Sequence, residues 1–414
     1  MRILFIHQNL PGQFIHLIRY FWGRSGWDIC GIGERRWVKD NLSKLPNGFP
    51  VLVYDIPEKP TSESFLLQTA MSVARGQSVV PVLKSLKNKG WIPDIVYAHP
   101  GWGEALFIRD IFPQAYIIHY CEYYYHAHGQ DVNFDPEFPS TSEELMELRI
   151  RNTHHLLGLE SMDLGISPTH WQKQCFPYEF HHKIKVIHDG IDTQRLQPDP
   201  SSSLQISNTT NITSKQEIIS FVNRNLEPYR GFHIFMRALP EVLKHRPNAQ
   251  VVIVGGDGVS YGRQPANGTY KTQMLTELHQ QLSPFMGRIH FLGKVPYASY
   301  VSLLQTSSIH VYLTYPFVLS WSFLEAMCCG GLLLASNTPP IREVLVDQTN
   351  GYLFDFFSVH ELTQHIIRIL EDKEDYRHMQ LREQARQTII DHYDLHRICL
   401  PQQIDIFTQT SNKP

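Results

Sequence analysis

The sequence predicts an α/β protein with two doubly wound domains that face each other across a cleft. Three observations lead to this prediction. Short apolar runs alternate with stretches of helical period, which is typical of parallel strands covered by helices on both faces. The alternation stops at the polar stretch 193–216 and then starts again. The chain has 414 residues, enough for two domains with large cores.

The composition excludes several classes of protein. Apolar residues make up 42% and charged residues 19% of the chain, as in ordinary globular proteins. A net charge of -3 argues against a nucleic-acid partner, because such proteins are usually basic. No signal-peptide core or membrane-length apolar run occurs. The six cysteines are scattered without a CxxC pair, so we expect a cytoplasmic protein, either fully soluble or peripheral to the membrane.

The first domain is predicted to span residues 1–192. It opens with an apolar strand, a Pro-Gly turn and a stretch of helical period. The predicted strands are 2–7, 51–54, 94–99, 115–120 and 162–167, and the most evident helices are 62–89 and 143–160.

Residues 193–216, rich in Ser, Thr, Asn and Pro, are predicted to be a linker or an exposed insertion. The second domain then spans 217–390. Its predicted strands are 217–222, 249–256, 288–293, 309–314, 331–336 and 351–354. The end of the chain, 358–409, is predicted to be helical, and we expect 391–414 to cross back to the first domain. Ligands of such sheets bind beyond the carboxyl ends of the strands, so the loops there are the candidate sites.

Two arginines follow the first strand of the second domain. Arg224 lies just past that strand, and Arg230 falls in the first turn of a helix that Pro228 begins. An arginine there opposes the helix dipole unless an anion lies between them. Two guanidinium groups at a helix N-terminus would suit a diphosphate. The alternative is a pair of solvated surface arginines.

Glu325 is the one charged residue in the apolar run 321–331. A carboxylate in such a helix needs a partner or a task. In a helix that begins near Ser320 and faces a cleft, it could accept hydrogen bonds from a vicinal diol such as a ribose. Alternatively, it caps a neighbouring backbone or pairs with an arginine.

Several segments together resemble a known enzyme family. They are "NRNLEPYRG", "VVIVGGDG", "RIHFLGKVPYASYVSLL", "SFLEAMCCGGLLLAS" with "PPIREV" and "NGYLF", and the hinge "IKVIHDGIDT". In this order and spacing they resemble the retaining GT-B glycosyltransferases of family four (group 1), whose two domains are Rossmann-like. The resemblance covers the second half of the chain and the hinge at 183–193. It implies a hexosyltransferase that moves a sugar from a nucleotide-sugar donor to a saccharide or glycolipid hydroxyl with retention, in polysaccharide or glycoconjugate synthesis.

The resemblance also implies a donor site. Arg224 and Arg230 would hold the diphosphate and act in catalysis, and Glu325 would bind the ribose. The backbone amides of Leu319, Ser320 and Trp321 would meet the phosphates, and Gly293, Lys294 and Val295 would flank the base. Because the arginines would replace a metal, we expect neither a metal nor another cofactor beside the donor.

One position departs from the family pattern. The family usually has two glutamates separated by seven residues, and Glu325 is the second. Phe317 stands in place of the first, and a phenyl ring cannot bond a sugar hydroxyl. Either Ser320 or Ser322 substitutes, the donor differs, or the protein is inactive.

In the first domain the resemblance points to the ends of strands. Gly12 would let the backbone approach the reacting centre, and His119 matches a catalytic histidine near the anomeric carbon. His99, with Glu104 nearby, is a second candidate. A lone histidine at a strand end is otherwise usually structural.

The segment 122–139 is aromatic, polar and long for a simple connection. Carboxylates beside aromatic faces suit sugar recognition. The predicted acceptor-binding residues are therefore His99, Glu122, Tyr123, Tyr124 and Asp131. The alternative is a surface loop packed by its own tyrosines.

Metal sites have weaker support. His126, His128 and Asp131 could ligate zinc only if they converged. A calcium loop in the same segment is rejected, because Pro136 stands where that loop requires glycine.

Three other stretches allow two interpretations each. Residues 255–262 could cradle a phosphate or form a simple turn. The stretches 34–44 and 83–91 are basic and contain tryptophan. They could touch an anionic membrane surface, or they are solvated helix faces.

Two other functions remain open at the level of sequence. A nucleotide-sugar epimerase shares the fold, and it would interconvert the donor without an acceptor. A non-catalytic partner of a synthase complex would be compatible with the missing first glutamate.

Overall fold

The computed structural model describes residues 1–56, 64–206, 210–372 and 375–411. These residues form two compact units. Unit 1 contains Met1–Gly190 and the C-terminal segment from His396, and unit 2 contains Ile191–Leu395. Each unit has a parallel sheet with helices, which confirms the predicted α/β fold of two domains. Residues 62–63, 207–209, 373–374 and 412–414, which fall within predicted segments, lie outside the described residues.

Unit 1 has a seven-stranded parallel sheet in the order β3-β2-β1-β4-β5-β6-β7. The strands are β1 Arg2–Ile6, β2 Asp28–Glu34, β3 Val51–Tyr54, β4 Ile95–Ala98, β5 Tyr116–Tyr120, β6 Leu164–Ser167 and β7 Ile184–Val186. The helices are α1 Ile15–Phe21, α2 Arg35–Asn41, α3 Ser64–Asn88, α4 Ile108–Ile111, α5 Ser142–Arg151, α6 Thr153–Ser161, α7 His170–Cys175 and the C-terminal α16 Leu400–Ser411. Strands β2 and β7 were not predicted.

The C-terminal helix α16 is part of the core of unit 1. The Phe407 ring is fully buried and lies 6.5 Å from Phe5, 5.4 Å from Phe21 and 5.7 Å from Tyr97, measured between ring centroids. Burying a phenylalanine side chain contributes roughly 1.5–3 kcal/mol. The helix therefore covers one face of the unit 1 sheet at β1 and β4.

Unit 2 has a six-stranded parallel sheet in the order β12-β11-β10-β13-β14-β15, and a separate antiparallel hairpin of β8 and β9. The strands are β8 Ser203–Gln205, β9 Asn211–Thr213, β10 Ile218–Asn225, β11 Gln250–Gly256, β12 Ile289–Gly293, β13 Ile309–Tyr312, β14 Leu333–Ser336 and β15 Tyr352–Phe354. The helices are α8 Phe232–His245, α9 Tyr270–Glu277, α10 His279–Leu282, α11 Tyr297–Thr306, α12 Trp321–Cys328, α13 Pro339–Arg342, α14 Val359–Glu371 and α15 Tyr376–His392. The sheet has the Rossmann strand order, and its direction of winding reverses between β10 and β13.

The described part of the polar stretch 193–216 belongs to unit 2 and is not an interdomain linker. Leu204 of β8 and Ile212 of β9 are buried in a cluster with Val254 and Leu303. Nearer the start of the unit, the Thr193 hydroxyl bonds the carboxylate of Asp394. The burial of Leu204 and Ile212 was not evident from the polar composition of the stretch, because a hairpin needs only one apolar residue per strand on its inner face.

We expect Ile212→Ala to lower the free energy of unfolding by about 2–4 kcal/mol, because it empties a fully buried site. Asn211→Ala, at the exposed neighbouring position, should change it by less than about 0.5 kcal/mol. Urea unfolding followed by circular dichroism would measure both. Equal, small effects would mean that the hairpin is not anchored and that a linker is the better description.

Candidate functional site

In unit 2, two arginines lie at the reversal point between β10 and β13. Arg224 is exposed and is the next-to-last residue of β10, so it lies within the strand rather than just past it. Arg230 ends a short 3-10 turn that Gly231 closes with a left-handed φ of 63°. A β-carbon at Gly231 would overlap the Leu313 side chain, so the position directly before α8 requires glycine. Arg230 thus precedes the helix by two residues rather than lying in its first turn, as the sequence had suggested.

Arg230 is buried and organises the loop after β13. Its Nη1 donates to the Tyr312 hydroxyl at 3.0 Å and to Thr314 Oγ1 at 2.7 Å, and its Nη2 donates to the Val318 carbonyl at 3.1 Å. The three acceptors are neutral, and they orient the guanidinium. An arginine held in this way is suited to attract an anion.

Phe317 lies in an aromatic cluster beside Arg230. Its ring is 4.8 Å from the Tyr261 ring and 5.7 Å from the Tyr229 ring, while the Arg230 guanidinium lies 5.9 Å from the Phe317 ring and 5.3 Å from that of Tyr261. Such contacts are cation–π interactions. The residue that replaces the first family glutamate is therefore a packing partner of the arginine.

Ser320 caps α12, and its polar groups have partners within the protein. Its Oγ lies 2.8 Å from Ser322 Oγ and accepts a bond from the Ser322 amide, and its own amide donates to the Tyr312 hydroxyl at 3.1 Å. This predicted phosphate-binding amide is thus already bonded. Of its two predicted companions, Leu319 has a buried side chain, whereas the Trp321 side chain is 44% exposed.

Glu227 is a site residue that the sequence reasoning missed. It is fully buried and accepts bonds from the amides of Ser260, Tyr261 and Gly262 at 2.9, 3.1 and 2.9 Å. These amides belong to the segment 255–262. They bind a carboxylate of the protein itself, which favours the turn interpretation of this segment over a phosphate cradle.

The residues predicted to flank the base follow β12. Gly293 has a left-handed φ of 65°, Lys294 is exposed, and Val295 packs partly against the core. A β-carbon at Gly256 would lie 2.8 Å from Lys294 Cε and 2.6 Å from Asn225 Oδ1. The lysine chain thus runs past the carboxyl ends of β11 and β10, while its contact with a base stays a prediction.

Glu325 is held by two tyrosines of α11. The Tyr297 hydroxyl donates to its Oε1 and the Tyr300 hydroxyl to its Oε2, each at 2.7 Å. Burial and the neighbouring carboxylate raise the pKa of both tyrosines, so both stay protonated donors. This arrangement matches neither structural alternative considered for Glu325, a backbone cap or an arginine pair.

In unit 1, four polar side chains meet at the carboxyl ends of β1, β4 and β5. His7 Nε2 lies 2.7 Å from Gln13 Oε1, Gln13 Nε2 donates to Glu122 Oε1 at 3.2 Å, and His99 Nε2 lies 3.2 Å from Glu122 Oε2. The Trp102 ring stacks on His99 at 4.4 Å. His7 and Gln13 were missed in the sequence, although His7 directly follows the first apolar run.

Backbone amides fix the direction of these hydrogen bonds. His7 Nδ1 accepts from the Asn9 amide at 2.9 Å, and His99 Nδ1 accepts from the Gly101 amide at 3.1 Å. Both rings therefore carry their proton on Nε2. Glu122 receives one bond directly from His99 and another from Gln13, which in turn accepts from His7. Its side chain is 31% exposed, so a ligand can reach the carboxylate.

Gly12 makes room for this network. Its φ is 49°, and a β-carbon there would overlap the His7 imidazole. The predicted need for glycine at this position thus has a visible cause, which is the close approach of a side chain. Its contact with a donor stays a prediction.

His119 is the next-to-last residue of β5, but its side chain does not join the group formed by His7, Gln13, His99 and Glu122. It is 1% exposed, packs beneath Gly158 of α6, and its Nε2 has no hydrogen-bond partner among the described residues. Burial lowers its pKa to about 3, so the ring is neutral. The structure groups His99, and not His119, with the other polar residues. Glu104 is also buried and accepts from the Tyr54 hydroxyl at 2.6 Å.

Three of the predicted acceptor residues are turned into the protein. Tyr123, Tyr124 and Asp131 are buried, and the Tyr123 hydroxyl donates to Asp131 Oδ1 at 2.7 Å. The alternative, a loop packed by its own tyrosines, describes these three residues. Within the segment, Glu122 is the predicted residue that keeps an accessible polar group.

The weaker patterns gain no support within the described residues. His126, His128 and Asp131 do not form a ligand group, and His126 Nε2 bonds the Cys175 carbonyl at 2.7 Å. The Trp91 indole donates to Asp28 at 2.7 Å, so it is committed within unit 1. Among the described residues, the helices are too short or too polar to cross a membrane.

The chain belongs to the GT-B glycosyltransferases of family four and group 1. Residues 26–196 match the family described as "Glycosyl transferase family 4 group", and residues 203–388 match "Glycosyl transferases group 1". The resemblance inferred from the motifs is thereby confirmed.

Two relatives are each 27% identical to part of the chain. A phosphatidyl-myo-inositol mannosyltransferase of Mycolicibacterium smegmatis is 27% identical over 261 residues, 58% of this chain and 61% of that protein. One component of a phosphatidylinositol N-acetylglucosaminyltransferase of Arabidopsis thaliana is 27% identical over 166 residues, 40% of this chain and 32% of that protein. The chain thus spans less than two thirds of the length of these relatives.

Solved structures share the fold. Alr3699/HepE of Anabaena, in complex with UDP-glucose, superposes with a TM-score of 0.68 at 19% identity, covering 99% of this chain and 100% of that one. Sucrose-phosphate synthase of Thermosynechococcus elongatus gives 0.68 at 15% identity, covering 99% and 98%.

Proposed function

We propose that this protein is a retaining hexosyltransferase that moves a sugar from a nucleotide-sugar donor to a hydroxyl of a saccharide or glycolipid. The observation that supports the proposal is that Arg224 and Arg230 lie at the end of β10 and in the turn after it, while Glu325 lies on α12, the helix after β13; β10 and β13 are the two strands at the reversal point. A nucleoside diphosphate offers a doubly charged diphosphate and a vicinal diol. Two cationic groups and one acceptor-only carboxylate match these features.

The chemistry follows from the charge that develops as the glycosidic bond breaks. The leaving nucleoside diphosphate gains negative charge, and preoriented cations lower the energy of that state without reorganising. Arg230 is already oriented by three neutral acceptors. We propose a same-face reaction in which the leaving phosphate takes the proton of the acceptor hydroxyl, so that the anomeric configuration is retained.

The acceptor is proposed to bind through Glu122 in unit 1. This carboxylate is accessible, oriented from two sides and close to the Trp102–His99 stack. Carboxylates accept hydrogen bonds from sugar hydroxyls, and aromatic rings cover the apolar faces of sugars. The names of relatives that transfer mannose or N-acetylglucosamine to phosphatidylinositol-containing lipids support hexose donors and glycolipid acceptors, and hence a role in glycoconjugate or polysaccharide synthesis.

A two-stage assay tests the proposal. In the first stage, UDP, GDP and ADP are each added to the protein, and the one that binds should raise the melting temperature. In the second stage, the matching hexose donor is supplied with and without sugar or inositol-lipid acceptors, and the products are separated. Transfer with retained configuration supports the proposal. Donor interconversion without an acceptor would identify an epimerase. Nucleotide binding without any reaction would identify a non-catalytic partner, and no binding would overturn the donor site.

A further inference from the structure

The contact between Glu325 and two tyrosines goes beyond what a ribose-binding carboxylate requires. Tyr297 begins α11 after β12, and Tyr300 lies one turn further on. Glu325 lies on α12, the helix that follows β13. The two hydroxyls occupy one carboxylate oxygen each, at 2.7 Å. The spacing of three residues places both tyrosines on one face of α11, so the carboxylate accepts both hydrogen bonds from a single helix face.

Hydrogen-bond capacity limits what Glu325 can still do. An ionised carboxylate offers about four lone-pair sites, and the tyrosines fill one on each oxygen. One site per oxygen remains, which matches two adjacent hydroxyl donors. The tyrosine protons are lost only at very alkaline pH, because burial and the charge of Glu325 raise the pKa of both groups. The carboxylate is half-buried, and Tyr297 is 41% exposed, so solvent reaches this edge.

We propose that Tyr297 and Tyr300 are positioning residues that fix Glu325 as a two-point acceptor, and that they thereby set the selection of ribonucleotides over 2′-deoxyribonucleotides. This inference rests on the proposed function, in which Glu325 meets the ribose of the donor. A ribose can donate from both of its hydroxyls, while a 2′-deoxyribose donates from one.

Fixing the carboxylate matters because a glutamate has several rotamers. A side chain that is already ordered loses less conformational entropy when a ligand binds. Without the tyrosine hydroxyls, Glu325 would have to be ordered by the ligand itself. The ribonucleotide, which uses both oxygens, should lose more affinity than the deoxyribonucleotide, which uses one.

The test measures two dissociation constants by titration calorimetry for each variant of the full chain. The nucleoside diphosphate that binds best among UDP, GDP and ADP is compared with its 2′-deoxy form. The wild type should prefer the ribonucleotide by about 10- to 100-fold, as expected for one hydrogen bond to a charged group. In Tyr297→Phe/Tyr300→Phe the preference should fall below about 5-fold, and each single variant should lie between. Tyr376→Phe, at a tyrosine that is 64% exposed in the same unit, should leave the preference unchanged.

The ratio of the two dissociation constants separates positioning from a general structural role, since loosening of the whole site would weaken the binding of both nucleotides equally. An unchanged preference in the double variant, with Glu325→Ala abolishing it, would overturn the inference and leave the ribose contact intact. A preference that survives Glu325→Ala would overturn both the ribose contact and the inference. Failure of the wild type to bind any nucleotide would overturn the proposed function and, with it, this inference.

Discussion

Replacing Arg224 by alanine is expected to lower turnover by about 10²- to 10³-fold, the loss typical of removing one preorganised charge donor from a transition state. Arg224 is exposed at the end of β10, so the variant should fold and melt like the wild type. Initial rates of nucleoside diphosphate release at saturating donor would measure the effect. The loss should appear in kcat, because the diphosphate charge grows as the bond breaks.

Two further variants make this result specific. Arg224→Lys keeps the charge but not the two-pronged geometry of a guanidinium, so its rate should fall between those of the wild type and Arg224→Ala. Arg368→Ala removes an exposed arginine of α14 in the same unit and should have no effect. If Arg224→Ala retained near-normal turnover, Arg224 would not serve the leaving group and the donor assignment would be wrong.

Arg230 would be a less informative target than Arg224. Its side chain is buried and supports Tyr312, Thr314 and the backbone of Val318. An alanine there would leave buried polar groups without partners, which destabilises by about 1–3 kcal/mol per group. Loss of activity in that variant would therefore mix a chemical effect with a structural one.

The fold was predictable because parallel strands that are buried on both faces read as short apolar runs. The runs at 2–7, 94–99 and 309–314 became β1, β4 and β13. Strand β2 was missed because Gly31 and Gly33 interrupt its apolar pattern. These glycines are needed there, since a β-carbon would lie 2.6 Å from Leu10 at the first and 2.6 Å from Val38 at the second.

The site was predictable only in part, because spacing along the chain does not show which side chains meet across elements. Glu325 was recognisable as an isolated charge, but its tyrosine partners lie 28 and 25 residues earlier on another helix. Glu122 was predicted as part of an aromatic loop, whereas its link to Gln13 spans 109 residues. His119 resembled a strand-end histidine, yet the alternation of side chains along β5 turns it beneath α6.

Substituting Gly12 by alanine is expected to destabilise unit 1 and to disturb the polar side chains at the strand ends. Its φ of 49° is left-handed, which costs roughly 1–2 kcal/mol for an alanine. The new β-carbon would also overlap the His7 imidazole. That ring cannot easily retreat, because Phe14, His99 and Trp102 surround it with ring centroids at 5.4, 5.0 and 5.4 Å. Overpacking of such a site costs roughly a further 1–3 kcal/mol, so the free energy of unfolding should fall by about 2–5 kcal/mol.

Activity should respond beyond the loss of stability, because moving His7 breaks its bond to Gln13 and frees Glu122 on one side. A shift of about 1 Å in a positioning group can cost about 10²-fold in rate, and we expect transfer by Gly12→Ala to fall by that amount at a temperature where it is folded.

Gly26→Ala provides the matched control, since its φ of 86° is also left-handed but nothing lies within 4 Å of the new β-carbon. It should lose about 1–2 kcal/mol and keep its activity. Removing the obstructing ring in Gly12→Ala/His7→Ala should recover part of the stability but none of the activity, because the overlap disappears while the support of Glu122 stays broken. Equal losses in Gly12→Ala and Gly26→Ala would show that backbone strain alone is responsible and that His7 does not position the carboxylate.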